Sequence, residues 1–332
     1  MPKWKQSRFI LAVIGTWGIG AGCATPPPSS SVDLASPDAP PVDVPGTKIK
    51  NLAPLIRDAA VNATLSRGEV QDAGALLLRV ELAPELAERA PNVSVSYEGR
   101  EFPCFPHGPA QPGVFGVVFG IPYDHPPGPS RLEIRAMDPI GKNVLARSEL
   151  EFKVTPGDYP SETLKVPPSK VNPPPEAQAR IQAEMEEIRA LYALNTPEKQ
   201  WSGNFRMPVP GKVTSKYGAR RVYNGELKSA HQGLDLRAKT GDPIRAPAYG
   251  KVVLAKDLYY TGYTVILDHG YGLLTLYAHL SALKVATGDA VRAGRVLGLA
   301  GMTGRANGPH LHWSAIIHNV KVNPRELTRL YR

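Results

Sequence analysis

Gly308-Pro309-His310-Leu311-His312 decides how the C-terminal third of this 332-residue chain is read. In an extended strand successive side chains point to opposite faces, so His310 and His312 emerge together while Leu311 turns into apolar packing. Two imidazoles then line one site, where one can bind a metal and its neighbour can handle protons near neutral pH. Upstream, His231-Gln232-Gly233-Leu234-Asp235 sets an imidazole and a carboxylate four residues apart. Tyr277-Ala278-His279-Leu280 adds a histidine on or just after an expected strand at 273–277, and Gly301-Met302-Thr303-Gly304 marks a turn. Each piece is weak alone, because single His and Asp residues occur everywhere. Together they suit a catalytic zinc, which takes three protein ligands and leaves a fourth position open. His231, Asp235 and His312 supply two imidazoles and one carboxylate.

H-x-x-x-D, Y-x-H-L and G-P-H-L-H, in this order, resemble the lysostaphin/LytM-type zinc metallopeptidases over about residues 208–324. V-T-S-K-Y-G at 213–218, R-V-Y-N-G at 221–225, G-D-P-I at 241–244 and V-N-P at 322–324 add to the resemblance. It implies that His231, Asp235 and His312 are the zinc (Zn2+) ligands, and that His279 and His310 assist the water and the developing oxyanion. It also implies hydrolysis of the peptide cross-links of peptidoglycan, with stem peptides as substrate. Whether the scissile bond is a D,D cross-link or a glycine bridge stays open. Some relatives keep this fold without its ligands, so the alternative is a non-catalytic activator or binding module that regulates another cell-wall hydrolase. The intact ligand set opposes it. Residues 241–301, with their V-A-T-G-D turn at 285–289, also look like a lipoyl or biotinyl carrier, but no lysine stands at a hairpin tip. His269, in Asp268-His269-Gly270, is expected to be structural or groove-lining, His318 a solvated turn residue, and Tyr223 and Asn224 candidates for the groove or an oxyanion contact.

Working outward, the chain is expected to be mainly β, in two bodies joined by a connector. Short alternating runs at 75–82, 93–97, 114–121, 131–137 and 144–154, separated by Gly and Pro turns, suggest an antiparallel β-sandwich over residues 48–156. It would be a spacer or a docking surface for a regulatory protein. Its His107 and His125 are expected to be solvated loop residues, and Cys104 a half-buried structural thiol. The connector, residues 157–200, is rich in proline. Pro175 opens a helix through about residue 193, with Ile181, Met185, Ile188 and Tyr192 on one face. Lying just before the β-rich catalytic domain, residues 201–332, the connector is placed to restrain that domain by crossing its groove.

The N-terminus reads as an export signal over residues 1–22. Lys3, Lys5 and Arg8 precede an apolar run at 9–19, too short to span a bilayer. Gly20-Ala21-Gly22-Cys23 resembles a bacterial lipobox, although Gly20 stands where leucine is usual, so Cys23 is the expected acylated residue. Residues 23–47, with P-P-P-S-S-S and P-D-A-P-P-V-D-V-P, cannot bury a core and form a tether. The protein is then exported to the cell envelope and lipid-anchored to a membrane, facing the periplasm or wall. With Cys23 lipidated, Cys104 has no disulfide partner. The net charge of +9 suits an anionic partner. There is no arginine-rich run, zinc-finger spacing or aromatic-interleaved basic strand, so nucleic acid is not expected.

Overall fold

The computed structural model describes residues 55–331 apart from 90, 109, 165–172 and 224–226. The export signal, Cys23, the tether and Asn224 lie outside the described residues, as does the side chain of Tyr223. No helix among the described residues is long and apolar enough to cross a membrane.

The first body is a mainly antiparallel sandwich. One sheet runs β1 (Val61–Leu65), β3 (Ala75–Leu82), β7 (Val114–Gly120) and β6 (Phe105–Pro106), in that spatial order. The other runs β2 (Glu69–Gln71), β9 (Val144–Thr155), β8 (Gly128–Met137), β4 (Asn92–Tyr97) and β5 (Arg100–Pro103). Strict alternation puts Leu76, Leu78 and Val80 of β3 against Val95, Ile134 and Phe152 of the facing sheet, all buried. Cys104 is buried in that core, and burial pushes its thiol pKa up.

The second body is built on a ten-stranded sheet whose main path is β11 (Val213–Ser215), β14 (Leu234–Arg237), β21 (His310–Ile317), β18 (Leu273–Leu283), β17 (Gly262–Asp268), β16 (Gly250–Leu258) and β19 (Ala290–Val291). The short strands β15 (Pro243–Arg245), β20 (Val296–Ala300) and β22 (Val320–Val322) complete it. Leu236, Tyr277, Leu311 and Trp313 fill the core on one face. The register Asp235↔His312↔Ala278 puts the metal candidates on the opposite face. Further along that face, Leu254, Ile266, Leu274, Leu276 and Ile316 pack under Ile188 and Tyr192 of the helix Pro175–Tyr192. The helix stripe is thus core packing against the sheet.

A third, three-stranded sheet joins the connector to the catalytic domain. In it β10 (Ser161–Leu164) pairs in parallel with β12 (Arg220–Tyr223), which pairs antiparallel with β13 (Leu227–Ala230). The two large bodies share a continuous apolar seam: Ala75, Phe105 and Val118 of the sandwich pack with Trp201, Leu273, Ala315, Ile317 and Val322. Polar ties flank it. Arg67 pairs with Glu326 at 2.8 Å, and Arg100 donates to the His318 carbonyl.

Two loop histidines differ from expectation. The ring of His125 bonds Glu98 Oε1 at 2.7 Å and the Tyr97 hydroxyl at 3.0 Å, because the turn folds back over the sandwich end. Glu98 holds its pKa above the ordinary imidazole value against the opposing effect of burial. His318 packs on Phe102 at 4.9 Å between ring centroids, in the seam between the bodies, and burial lowers its pKa to about 4.

Candidate metal centre

His231 leads into β14, Asp235 lies within it and His312 lies on β21. Antiparallel pairing aligns Asp235 with His312, and the turn before β14 brings His231 alongside. His231 Nε2, Asp235 Oδ1 and His312 Nδ1 form a triangle with each edge 3.0 Å, and all three residues are buried.

The bonds on the far side of each ring determine what the triangle presents. His231 Nδ1 donates to the Lys216 carbonyl at 2.9 Å, which leaves Nε2 as a lone pair. Ser314 gives its single proton to the Gln232 carbonyl, so it accepts from His312 Nε2 at 2.9 Å, and Nδ1 of His312 is a lone pair. Asp235 Oδ1 is a third acceptor. Burial opposes ionisation of Asp235, but the Arg221 guanidinium beside it holds the carboxyl below the usual carboxylate range. Three lone pairs at 3.0 Å with no proton to share repel one another, and a cation at their focus resolves the conflict. Two imidazoles and one carboxylate, each fixed by an outer hydrogen bond, are the donor set of a catalytic zinc site. Arg221 Nη2 binds the other oxygen, Asp235 Oδ2, at 2.6 Å.

His279 and His310 face the same site. His310 Nδ1 donates to the Gly308 carbonyl at 2.9 Å and its Nε2 stands 3.7 Å from Asp235 Oδ1. His279 Nδ1 donates to the Thr303 carbonyl at 2.8 Å, and its ring centre lies 4.8 Å from that of His310. By alternation His279 would follow Tyr277 into the core. An extra residue in β18 between Tyr277 and Leu280, where it pairs with β17, and a left-handed backbone at His279, φ 60°, turn it to the site instead. Burial and the two neighbouring imidazoles push its pKa down to about 3. A cavity of about 550 Å³ opens over these groups, bounded by Glu162, Arg221, Tyr260, Arg305 and Asn307. No residue of the helix Pro175–Tyr192 lines it.

Residues 229–324 match the family described as peptidase family M23. This chain carries an M23 peptidase domain. Among proteins similar to it is the DD-carboxypeptidase/endopeptidase Mpg of Neisseria meningitidis serogroup B, 41% identical over 127 residues, covering 38% of this chain and 29% of the relative. Another is the peptidoglycan DD-endopeptidase ShyA of Vibrio cholerae, 36% identical over 121 residues, covering 36% and 28%. The chain thus aligns with less than a third of the length of these relatives. A crystal structure of a putative peptidase M23 from Pseudomonas aeruginosa matches with a TM-score of 0.56 and 29% identity, over 79% of this chain and 95% of that one.

The M23 domain leaves His269 away from the metal candidates. Buried, it bonds the Tyr249 carbonyl at 2.6 Å and the Thr275 hydroxyl at 2.8 Å, a structural link in the core. Sequence reasoning assigned no role to Ser215, Arg221 or Thr303, all of which hold site residues, although all three lie in the quoted motifs. Glu162 carried no signal at all.

Proposed function

We propose that this chain is a zinc endopeptidase that cleaves the peptide cross-links of peptidoglycan. The observation that carries this reading is the buried triangle of lone pairs, with two further imidazoles turned toward the same cavity. Zinc bound there would polarise a peptide carbonyl and bring the ionisation of water to near neutral pH. His310 and His279 each commit Nδ1–H to a backbone carbonyl and so present Nε2 to the cavity. His310 would take a proton from the attacking water and hand it to the leaving amine, whereas His279, its pKa pushed down to about 3, would stay neutral and accept a hydrogen bond from that water through Nε2. Arg221 keeps the Asp235 carboxylate ionised and oriented. The names of the relatives from Neisseria and Vibrio favour the D,D cross-link over a glycine bridge.

Lipid on Cys23 would hold the enzyme at the envelope, facing the periplasm or wall, with the sandwich offered to a regulatory protein. Digestion of purified peptidoglycan, with mass spectrometry of the fragments and zinc counted per chain, tests the activity. Loss of cross-linked fragments that stops on chelation and resumes with zinc is the expected result. Zinc-loaded protein that leaves every cross-link intact yet stimulates a second hydrolase would replace this reading with the activator one.

A further inference from the structure

The connector reaches the metal centre. Its strand β10 is pinned on arrival: Tyr159 donates to Asp72 at 2.7 Å, Lys216 pairs with Asp158 at 2.9 Å, and the Arg220 amide donates to the Pro160 carbonyl at 2.8 Å. Parallel pairing then sets Glu162 beside Arg221 in register, and its side chain enters the cavity wall. There its two carboxylate oxygens lie 2.9 and 3.1 Å from Ser215 Oγ. Ser215 Oγ lies 3.1 Å from His231 Nδ1 and accepts from Arg221 Nη2 at 3.2 Å, the same nitrogen that binds Asp235.

A serine hydroxyl has one proton to give. An ionised carboxylate can only accept, so Glu162 takes that proton and leaves Ser215 with lone pairs alone for His231 Nδ1–H and Arg221. One carboxylate outside the family-matched segment, residues 229–324, thus sets the direction of the Ser215 bonds that stand behind His231 and beside the Arg221 nitrogen on Asp235. We propose that Glu162 is a positioning residue of the metal centre, acting through Ser215 and Arg221 on His231 and Asp235, so that the connector is part of the site. This rests on the zinc reading above.

Outer hydrogen-bond partners of metal ligands are typically worth 10–100-fold in metal affinity. Glu162 stands one bond further out, and the Lys216 carbonyl shares the work at His231, so the low end applies. In the metal-stripped full chain, zinc competition against a chromophoric chelator should show Glu162→Ala weakened by about tenfold. Glu162→Gln keeps an oxygen that can accept from Ser215 and should recover to within about threefold of the wild type. Because the effect passes through Ser215, adding Glu162→Ala to Ser215→Ala should cost less than it does in the wild type. The position is a partly exposed strand residue, and circular dichroism checks that each variant folds. Wild-type zinc affinity in Glu162→Ala overturns the proposal, as do strictly additive losses in the double variant. Unchanged affinity with faster hydrolysis would overturn it too, by making the strand a restraint. A wild-type chain that binds no zinc would instead overturn the zinc reading itself.

Discussion

Gly233→Ala adds one methyl group directly behind His312. A Cβ at Gly233 would stand 2.5 Å from His312 Nε2 and 2.7 Å from Ser314 Oγ, and inside the contact distance of His312 Cε1. Non-bonded carbon contacts settle at about 3.5–4.0 Å, so the ring or the turn must retreat by roughly 1 Å. The backbone at Gly233 is not left-handed, so alanine meets no conformational penalty and the effect is steric. The imidazole has nowhere to go: Nε2 is tied to Ser314 and Nδ1 faces Asp235 at 3.0 Å. Overpacking of this kind costs about 1–3 kcal/mol, which should lower the melting temperature of the metal-free chain by several degrees. Displacing one of three ligands should weaken zinc by at least about 100-fold, the upper end for loss of a supporting contact. Chelator competition, zinc per chain after dialysis and a thermal melt followed by circular dichroism read all three effects. A folded Gly233→Ala protein holding one zinc at wild-type affinity would refute the steric argument and the placement of His312.

His310→Ala should keep zinc near one per chain and lose hydrolysis by roughly 10²–10⁴-fold, whereas His312→Ala should lose the metal and with it the activity. Zinc loss from the first with retention in the second reverses the assignment. Cys23→Ser should release the protein from membranes, and a wild type left unlabelled by a fatty-acid analogue would remove the lipid anchor. His125 has a folded pKa above its ordinary 6.5 because of Glu98, so its contribution to stability is complete below about 6.5 and is lost as pH rises through the raised value. Glu98→Gln should lower the His125 pKa and flatten stability across that window; an unchanged imidazole titration by NMR would show that the pair does not form.

The long alternating strands of the sandwich were legible, as in β3, where expected and observed bounds coincide at Ala75–Leu82, but the five-residue alternation of β1 was passed over. β2, β5 and β6 are too short for alternation to register, and their burial depends on partners distant in sequence. The side to which His310 and His312 project follows from the period of a strand alone. His279 does not obey that period, because an extra residue in the strand and a left-handed backbone re-aim it, and neither is visible in Tyr-Ala-His-Leu. His125 and His318 misled for a common reason: a histidine in a Gly- or Pro-flanked turn reads as solvated, yet each turn folds onto a neighbour supplied by another segment. Glu162 was unreadable because no local pattern links it to Arg221, 59 positions later, which it meets only through parallel pairing.

The shared seam through Phe105, Val118, Trp201, Leu273 and Val322 has a mechanical meaning. A hinged pair of domains lets a catalytic groove swing to meet its substrate while the other half stays bound. Here a continuous apolar seam joins the sandwich to the sheet, so a load placed on one is passed to the other. On the proposed reading, whatever grips the sandwich would act on the groove without touching the metal centre.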